Sequence, residues 1–241
     1  MTGYIDLHNH WIPGVDDGAP TLAEATAILR ALAEAGFNRI IGTPHMRPGM
    51  FDTDKQALET AYKAALPHVV SHGIDVKLEL SCEHFLDDIV FSRILAGEGL
   101  PFPGNHALLL EWGNHFLPTK LSDRLFDLRR RGFRPVVAHP ERYRVCWDDL
   151  SSMVNLVDQG VVLLMDAGAV VGMYGRGAQS AAERMLDAGL YYAACSDAHR
   201  VSDVDEVVAG VERIRSLVGR DEAEFMLREG PERILLGTVD L

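Results

Sequence analysis

Pro135-Val136-Val137-Ala138-His139-Pro140-Glu141-Arg142 is an apolar run that ends in an imidazole, with a guanidinium three residues further on. The run is apolar on both faces, the pattern of a parallel strand covered on each side. The same construction recurs along the chain. Ile40-Ile41-Gly42-Thr43-Pro44 leads into His45, Leu78-Glu79-Leu80-Ser81-Cys82 into Glu83, and Leu108-Leu109-Leu110 into Glu111. The chain opens on Ile5-Asp6-Leu7-His8-Asn9-His10 and returns near its end to Cys195-Ser196-Asp197-Ala198-His199. With Asp17, these make nine metal-type side chains, nearly all just past the end of a strand-like run.

Working outward, strand-like runs are expected at residues 4–7, 39–42, 76–81, 107–110, 135–138, 161–165 and 191–195. Helical periodicity fills the gaps. Residues 22–35 begin after Thr21, with Glu24 three residues on in a capping-box pattern, and end at Gly36. Residues 54–72, 120–131, 148–159 and 179–188 are each followed directly by glycine, and 203–217 and 222–236 read as closing helices. Repeated strand, helix and glycine imply βα units. Seven such units suggest a closed or nearly closed parallel barrel, with a doubly wound open sheet as the alternative. The metal-type residues favour the barrel, because barrel enzymes place their sites at the C-terminal ends of many strands. An open sheet concentrates its site at one switch point.

The 241 residues, 47% of them hydrophobic, suit one large domain over residues 1–241, and no linker-like stretch divides them. A formal net charge of -12 argues against a nucleic-acid backbone as partner. It also leaves an anionic substrate dependent on local positive charge. No apolar run approaches the roughly 20 residues of a membrane span, and the N-terminus has no signal-type segment. Three cysteines, an odd number at wide spacing, suit a reduced, cytoplasmic protein.

One cation takes about three or four protein ligands, so nine gathered in one place read as a multinuclear metallohydrolase. His8 and His10 share a strand face and can chelate one ion, with Asp6 on that side as a supporting partner. Asp197 and His199 repeat the pattern, and the first and last strands of a barrel are neighbours. Each residue also has a plainer reading. A His pair can be satisfied in a core, Glu83 or Glu111 can be a rim carboxylate on an arginine, and Asp16-Asp17-Gly18 can be a turn. A carboxylate directly after an apolar strand is costly to bury unless paired or metal-bound, which favours ligands at Glu83 and Glu111. Arg142 and Arg47 lie just past ligand candidates, and a guanidinium fork suits phosphate. Their plainer reading is an ion pair. Asp87-Asp88 reads as a solvated face, Asp148-Asp149 as a helix start, and His68 and His72 as surface residues. His84 and His115 adjoin ligand candidates and are placed within reach of substrate.

Taken jointly, Asp6-x-His8-x-His10, Thr43-Pro44-His45, Ala138-His139-Pro140-Glu141-Arg142-Tyr143 and Ser196-Asp197-Ala198-His199 resemble the PHP (polymerase and histidinol phosphatase) superfamily. HWIPGVDDG over residues 10–18 and Gly49-Met50-Phe51-Asp52-Thr53 are similar to one subgroup, the bacterial tyrosine phosphatases that act with capsule and exopolysaccharide tyrosine kinases. The resemblance runs from Ile5 to Leu236. It implies a distorted (β/α)7 barrel, TIM-like, with its site at the C-terminal ends of the strands. It implies three divalent ions, manganese first and iron or zinc as alternatives, held by the nine residues with Glu83 as a bridge. Arg142 and Arg47 would hold the phosphate, and the partner would be a phosphotyrosine protein, a cognate tyrosine kinase. A homo-oligomer is compatible with this reading. Two departures fall on the substrate side. The arginine usual several residues after the closing Asp-x-His is replaced by Arg200-Val201-Ser202-Asp203-Val204, and Asp166 stands where asparagine is common.

The implied reaction is phosphomonoester hydrolysis, with metal-activated water attacking phosphorus in line. The sequence argues against a cysteine phosphatase. Its phosphate-loop arginine would fall at 88, 152 or 201, where Asp88, Ser152 and Val201 stand. The alternatives are hydrolysis of a small phosphoester, such as histidinol phosphate or a nucleotide, and a metal-stabilised regulatory module without turnover.

Overall fold

Residues 3–51 and 53–240 are described by a computed structural model; Asp52, in the Gly49–Thr53 motif, lies outside them. Among the described residues the apolar runs become nine strands: β1 (Tyr4–Asp6), β2 (Phe37–Gly42), β3 (His45–Met46), β4 (Lys77–Leu80), β5 (Glu83–Phe85), β6 (Ala107–Glu111), β7 (Arg134–Ala138), β8 (Val162–Asp166) and β9 (Ala193–Cys195). Every pairing between them is parallel. The order is β1-β2-β4 in one sheet and β3-β5-β6-β7-β8-β9 in the other.

The two sheets are halves of the same wall. β3 continues β2 beyond Thr43-Pro44, and β5 continues β4 beyond Ser81-Cys82. Proline has no N–H to give a ladder, so the strand breaks there. The Ser81 N–H to Gly42 O bond (2.9 Å) and the Glu83 N–H to Pro44 O bond (3.1 Å) carry the pairing across the break. Nine strands therefore make the seven expected staves. First and last staves meet through Asp197 N–H to His8 O (2.8 Å) and His10 N–H to Ala198 O (3.0 Å). The Asp6 carboxylate adds a second link, accepting from Ser196 N–H (2.9 Å) and Ser196 Oγ–H (2.6 Å). This is a distorted barrel, and the open-sheet alternative falls away.

Helices α1 (Leu22–Glu34), α2 (Lys55–Ser71), α4 (Leu121–Arg130) and α7 (Asp203–Val218) form within two residues of expectation. Thr21 caps α1 as its sequence implies, accepting from Glu24 N–H and donating to Glu24 Oε2. An unexpected short helix, α3 (Asp88–Leu95), starts at Asp87, whose side chain accepts from Val90 N–H. Asp87 is thus a cap, not merely part of a solvated face. α5 (Ser151–Asp158) starts later than Asp148, because the Asp149 carboxylate turns the chain by accepting from Ser151 N–H. α6 (Gly175–Asp187) starts earlier than residue 179, its first turn disguised by two glycines. The last expected helix is interrupted: α8 (Arg220–Glu224), a π turn (Phe225–Glu229) and α9 (Gly230–Leu236) follow one another. Pro231, which cannot donate to the preceding turn, sits at the interruption.

Alternate residues of each strand face opposite ways. One set, including Leu7, Ile41, Leu109, Val136, Leu164 and Ala193, fills the barrel, and Phe102, Ile234 and Leu235 join it. The other set, including Ile40, Leu108, Leu110, Val137 and Leu163, packs outward in the core shared with the helices. Among the described residues no helix is long and apolar enough to cross a membrane.

Candidate metal centre

All nine metal-type residues converge at the C-terminal ends of the strands, supplied by six of the seven staves and the loops that follow them. Potential ligand atoms lie within 4.8 Å of one another in four sets: His10, Asp17, His45 and His199; His8, His10 and Asp197; His8, Glu83 and His139; His45, Glu83 and Glu111. Glu83 belongs to two sets, as do His8, His10 and His45. Glu111, the last residue of β6, continues the inward row of Ala107 and Leu109. His139 (φ 36°) and Asp197 (φ 46°) follow their strands in the left-handed region, where side chains other than glycine are strained.

Three imidazoles are held in the same way. Thr43 Oγ–H donates to Asn9 O, so the ring of His8 donates Nδ1–H to Thr43 Oγ (2.5 Å). His10 donates Nδ1–H to Asp16 Oδ2 (2.7 Å), and His199 donates Nδ1–H to Asp197 O (2.8 Å). Each bond fixes the tautomer and leaves the Nε2 lone pair for the cavity. Asp16 also accepts from His45 N–H (3.0 Å), while the ring of His45 stacks on Phe51 at 5.2 Å. Asp6 supports the backbone of His8 and the last stave, not an imidazole as its strand face suggested.

Among the described residues, the buried atoms that find no hydrogen-bond partner include seven on the candidate ligands: His8 Nε2, His10 Nε2, His45 Nδ1, Glu83 Oε2, Glu111 Oε1, His139 Nδ1 and Asp197 Oδ1. Leaving such atoms unsatisfied is costly, and these seven belong to residues of one cluster, where His139 turns its other nitrogen, Nε2, to Glu83 Oε1 (2.8 Å). Divalent cations are the partner that neutral imidazoles and carboxylates share, and an all-nitrogen-and-oxygen donor set is of the open, hydrolytic kind. The titration behaviour agrees. Burial opposes charge on His45, yet Glu83, Asp17 and Glu111 raise its pKa. Burial likewise opposes charge on His199, but Asp17 and Asp197 push its pKa up to about 9. Burial would raise Glu83 and Asp197, yet the surrounding imidazoles hold both well below the usual carboxylate range. The carboxylates of the cluster thus favour positive charge among them.

A pocket of about 160 Å³ opens onto the cluster, lined by the ligand candidates Asp17, His45, Glu83, Glu111, His139, Asp197 and His199 and by Arg47, Trp112, Gly113, Asn114 and Arg142. Arg142 donates to Asp197 Oδ2 (2.6 Å), leaving Oδ1 to face His8 and His10. Arg47 Nη1 lies 4.0 Å from Glu111 Oε1. The ion pairs weighed as a plainer reading are therefore present, on ligand carboxylates at the pocket wall. Arg200 is exposed and does not line the pocket.

One expectation fails here. His84 is fully buried, its Nδ1 bonded to Leu109 O and its Nε2 accepting from Leu100 N–H. Burial lowers its pKa to about 4, so it is a neutral strut out of reach of substrate. His115 is exposed, one residue beyond the pocket lining. The sequence reading also passed over Asp16, Thr43 and Glu141. Glu141 is buried behind Arg142, accepting from Asp166 N–H and Tyr191 Oη–H. Burial and then Asp166 push its pKa up to about 8. The doubled acid at Asp16-Asp17 was the available signal for Asp16.

A parallel barrel with a nitrogen-and-oxygen cluster at the strand ends and two arginines over it defines a metal-dependent barrel protein. The chain belongs to the capsular polysaccharide synthesis CpsB/CapC family, whose profile matches residues 4–236. It is 26% identical over 231 residues to the tyrosine-protein phosphatase YwqE of Bacillus subtilis, covering 96% of this chain and 91% of that one. It is 23% identical over 246 residues to the tyrosine-protein phosphatase CpsB of Streptococcus pneumoniae, covering 96% and 98%. A crystal structure reported for these metal-dependent tyrosine phosphatases, YwqE and CpsB, superposes with a TM-score of 0.90 at 26% identity over 98% of this chain and 96% of that one. In fold alone, a phosphotriesterase homology protein of Escherichia coli is similar, with a TM-score of 0.58 at 15% identity over 97% and 99%.

Proposed function

We propose that this chain, acting as one domain, is a metal-dependent phosphatase of phosphotyrosine in proteins, with a tyrosine kinase of capsule or exopolysaccharide synthesis as its substrate. The observation that carries this reading is the set of seven unpartnered buried atoms on clustered candidate ligands, with two arginines lining the pocket that opens onto the cluster. The names of YwqE and CpsB support the substrate class. His8, His10, Asp17, His45, Glu83, Glu111, His139, Asp197 and His199 would hold three divalent ions, manganese first. When bound, the ions supply Lewis acidity toward phosphoryl oxygens and make water nucleophilic near neutral pH. Arg142 and Arg47 bind the anionic oxygens, orient the phosphoryl group and neutralise the charge that develops on it. Asp16 and Thr43 hold His10 and His8 in one tautomer throughout. A phenol leaving group, with a pKa near ~10, departs with less protonation than an alkyl alcohol. The three cysteines are buried and unpaired, which suits a reducing, cytoplasmic setting.

The test is phosphate release from an aryl phosphate and a phosphotyrosine peptide, after stripping and reloading with single metals. Wild type is expected to be active with manganese. Arg142→Ala should lose about 10²-fold in kcat/KM, the scale of one lost electrostatic donor, and His139→Ala at least as much. Full activity in both variants would overturn the assignment. Equal turnover of alkyl phosphates would move the substrate to small phosphoesters.

A further inference from the structure

The two arginines of the pocket are built alike. Arg142 Cζ lies 4.4 Å from the centroid of the Tyr174 ring, and Arg47 Cζ lies 4.1 Å from that of Phe85. Each guanidinium therefore has one face on an aromatic ring and an edge toward a ligand carboxylate: Asp197 for Arg142 and Glu111 for Arg47. Neither ring lines the pocket. A ring under the face and a carboxylate at one edge leave the rest of the planar fork a single orientation, with its free N–H groups toward the cavity.

Tyr174 is itself held firmly. It stands between the 3-10 turn Ala167–Val171 and α6, flanked by Gly172 (φ 89°) and Gly175 (φ 85°). Gly175 N–H bonds to Gly172 O (2.9 Å), and the Gln179 amide bonds to Val170 O (3.0 Å). The turn is seated against α7 where Gly210 leaves no room for a side chain, since a Cβ there would lie 1.9 Å from Ala167 O.

We propose that Tyr174 is the positioning residue of the anion site: its ring, not its hydroxyl, sets the plane of Arg142 for a phosphoryl group. The inference rests on the phosphatase reading for the identity of the anion. Arg142 would otherwise be free to fold fully onto Asp197, and the ring competes with that collapse by stacking rather than by charge.

Binding of inorganic phosphate to the manganese-loaded protein, measured by calorimetry, tests this without turnover. Tyr174→Leu should weaken phosphate about 2- to 30-fold, the range of a cation–π contact, with metal stoichiometry unchanged. Tyr174→Phe keeps the ring and should stay within about 2-fold of wild type. In an Arg142→Ala background the Leu substitution should have no further effect. With an aryl phosphate, Tyr174→Leu should raise KM more than it lowers kcat. Unchanged phosphate affinity in Tyr174→Leu would overturn the proposal, as would a Phe variant as weak as Leu or an undiminished Leu effect without Arg142. Should Tyr174→Leu fail to fold, Tyr174→Met carries the same comparison. Wild type that binds phosphate but hydrolyses no aryl phosphate would defeat the phosphatase reading and leave these binding comparisons standing.

Discussion

His8, His10 and His199 reach the cavity through Nε2 because Thr43, Asp16 and the backbone of Asp197 occupy Nδ1. The candidate ligands were legible at this scale, because nearly all of them follow an apolar run. Their holders were not: Thr43 lies 35 residues from His8, and only folding reveals the pair. Asp166 is the residue with the clearest pH consequence. Burial first, and Asp197 second, push its carboxyl from 3.8 up to about 7. Between those values the folded protein keeps a proton that the unfolded chain has lost. Stability from this group is therefore full below about pH 4 and falls as pH rises through about 7. Asp166→Asn removes the titration, since an amide can still accept from Gly168 N–H as Asp166 Oδ1 does. In metal-free protein, the variant should match wild type near pH 4 and exceed it above pH 7 by on the order of a few kcal/mol. Urea unfolding across that range reads the difference, and parallel pH curves for the two proteins would refute it.

At the scale of elements, seven staves and most helices were visible as alternating runs, because parallel strands and amphipathic helices declare themselves by period. What stayed hidden was short or broken. The eight-residue helix α3 is too brief for its periodicity to stand out, and the break at Ser81-Cys82 depends on the neighbouring stave. The loop after the first stave is a further case. Gly18 packs against His10 so closely that a Cβ would lie 2.1 Å from His10 O. That contact cannot relax without moving Asp16 and Asp17, one holding His10 and the other facing His45 and His199. Gly18→Ala should therefore reduce bound metal and lower kcat/KM by about 10-fold or more, the cost of displaced supporting groups. Metal analysis beside kinetics is the check. A fully loaded, fully active variant would show that the loop adapts.

Across the whole molecule, the ligand cluster joins staves that the breaks and the irregular closure leave weakly laddered. Ions bound there would tie six of seven staves at one point and neutralise carboxylates in a chain of net charge -12. An ion that binds only the folded state stabilises it by about 2.7 kcal/mol at a hundred times its Kd. For a chain of this size that is roughly 5–10 °C in Tm. Chelation should lower Tm by that amount and manganese should restore it. A melting curve indifferent to both would mean that the cluster holds no metal.

The left-handed backbone at His139 and Asp197 has a consequence over evolutionary time. Two candidate ligands stand where glycine or asparagine would sit more comfortably, and strain of about 1–3 kcal/mol each accompanies them. Selection for persistence of the fold and selection for the reaction thus pull these two positions in opposite directions. A descendant lineage that no longer needed the reaction would be expected to drift there first, toward residues that relax the backbone and bind nothing.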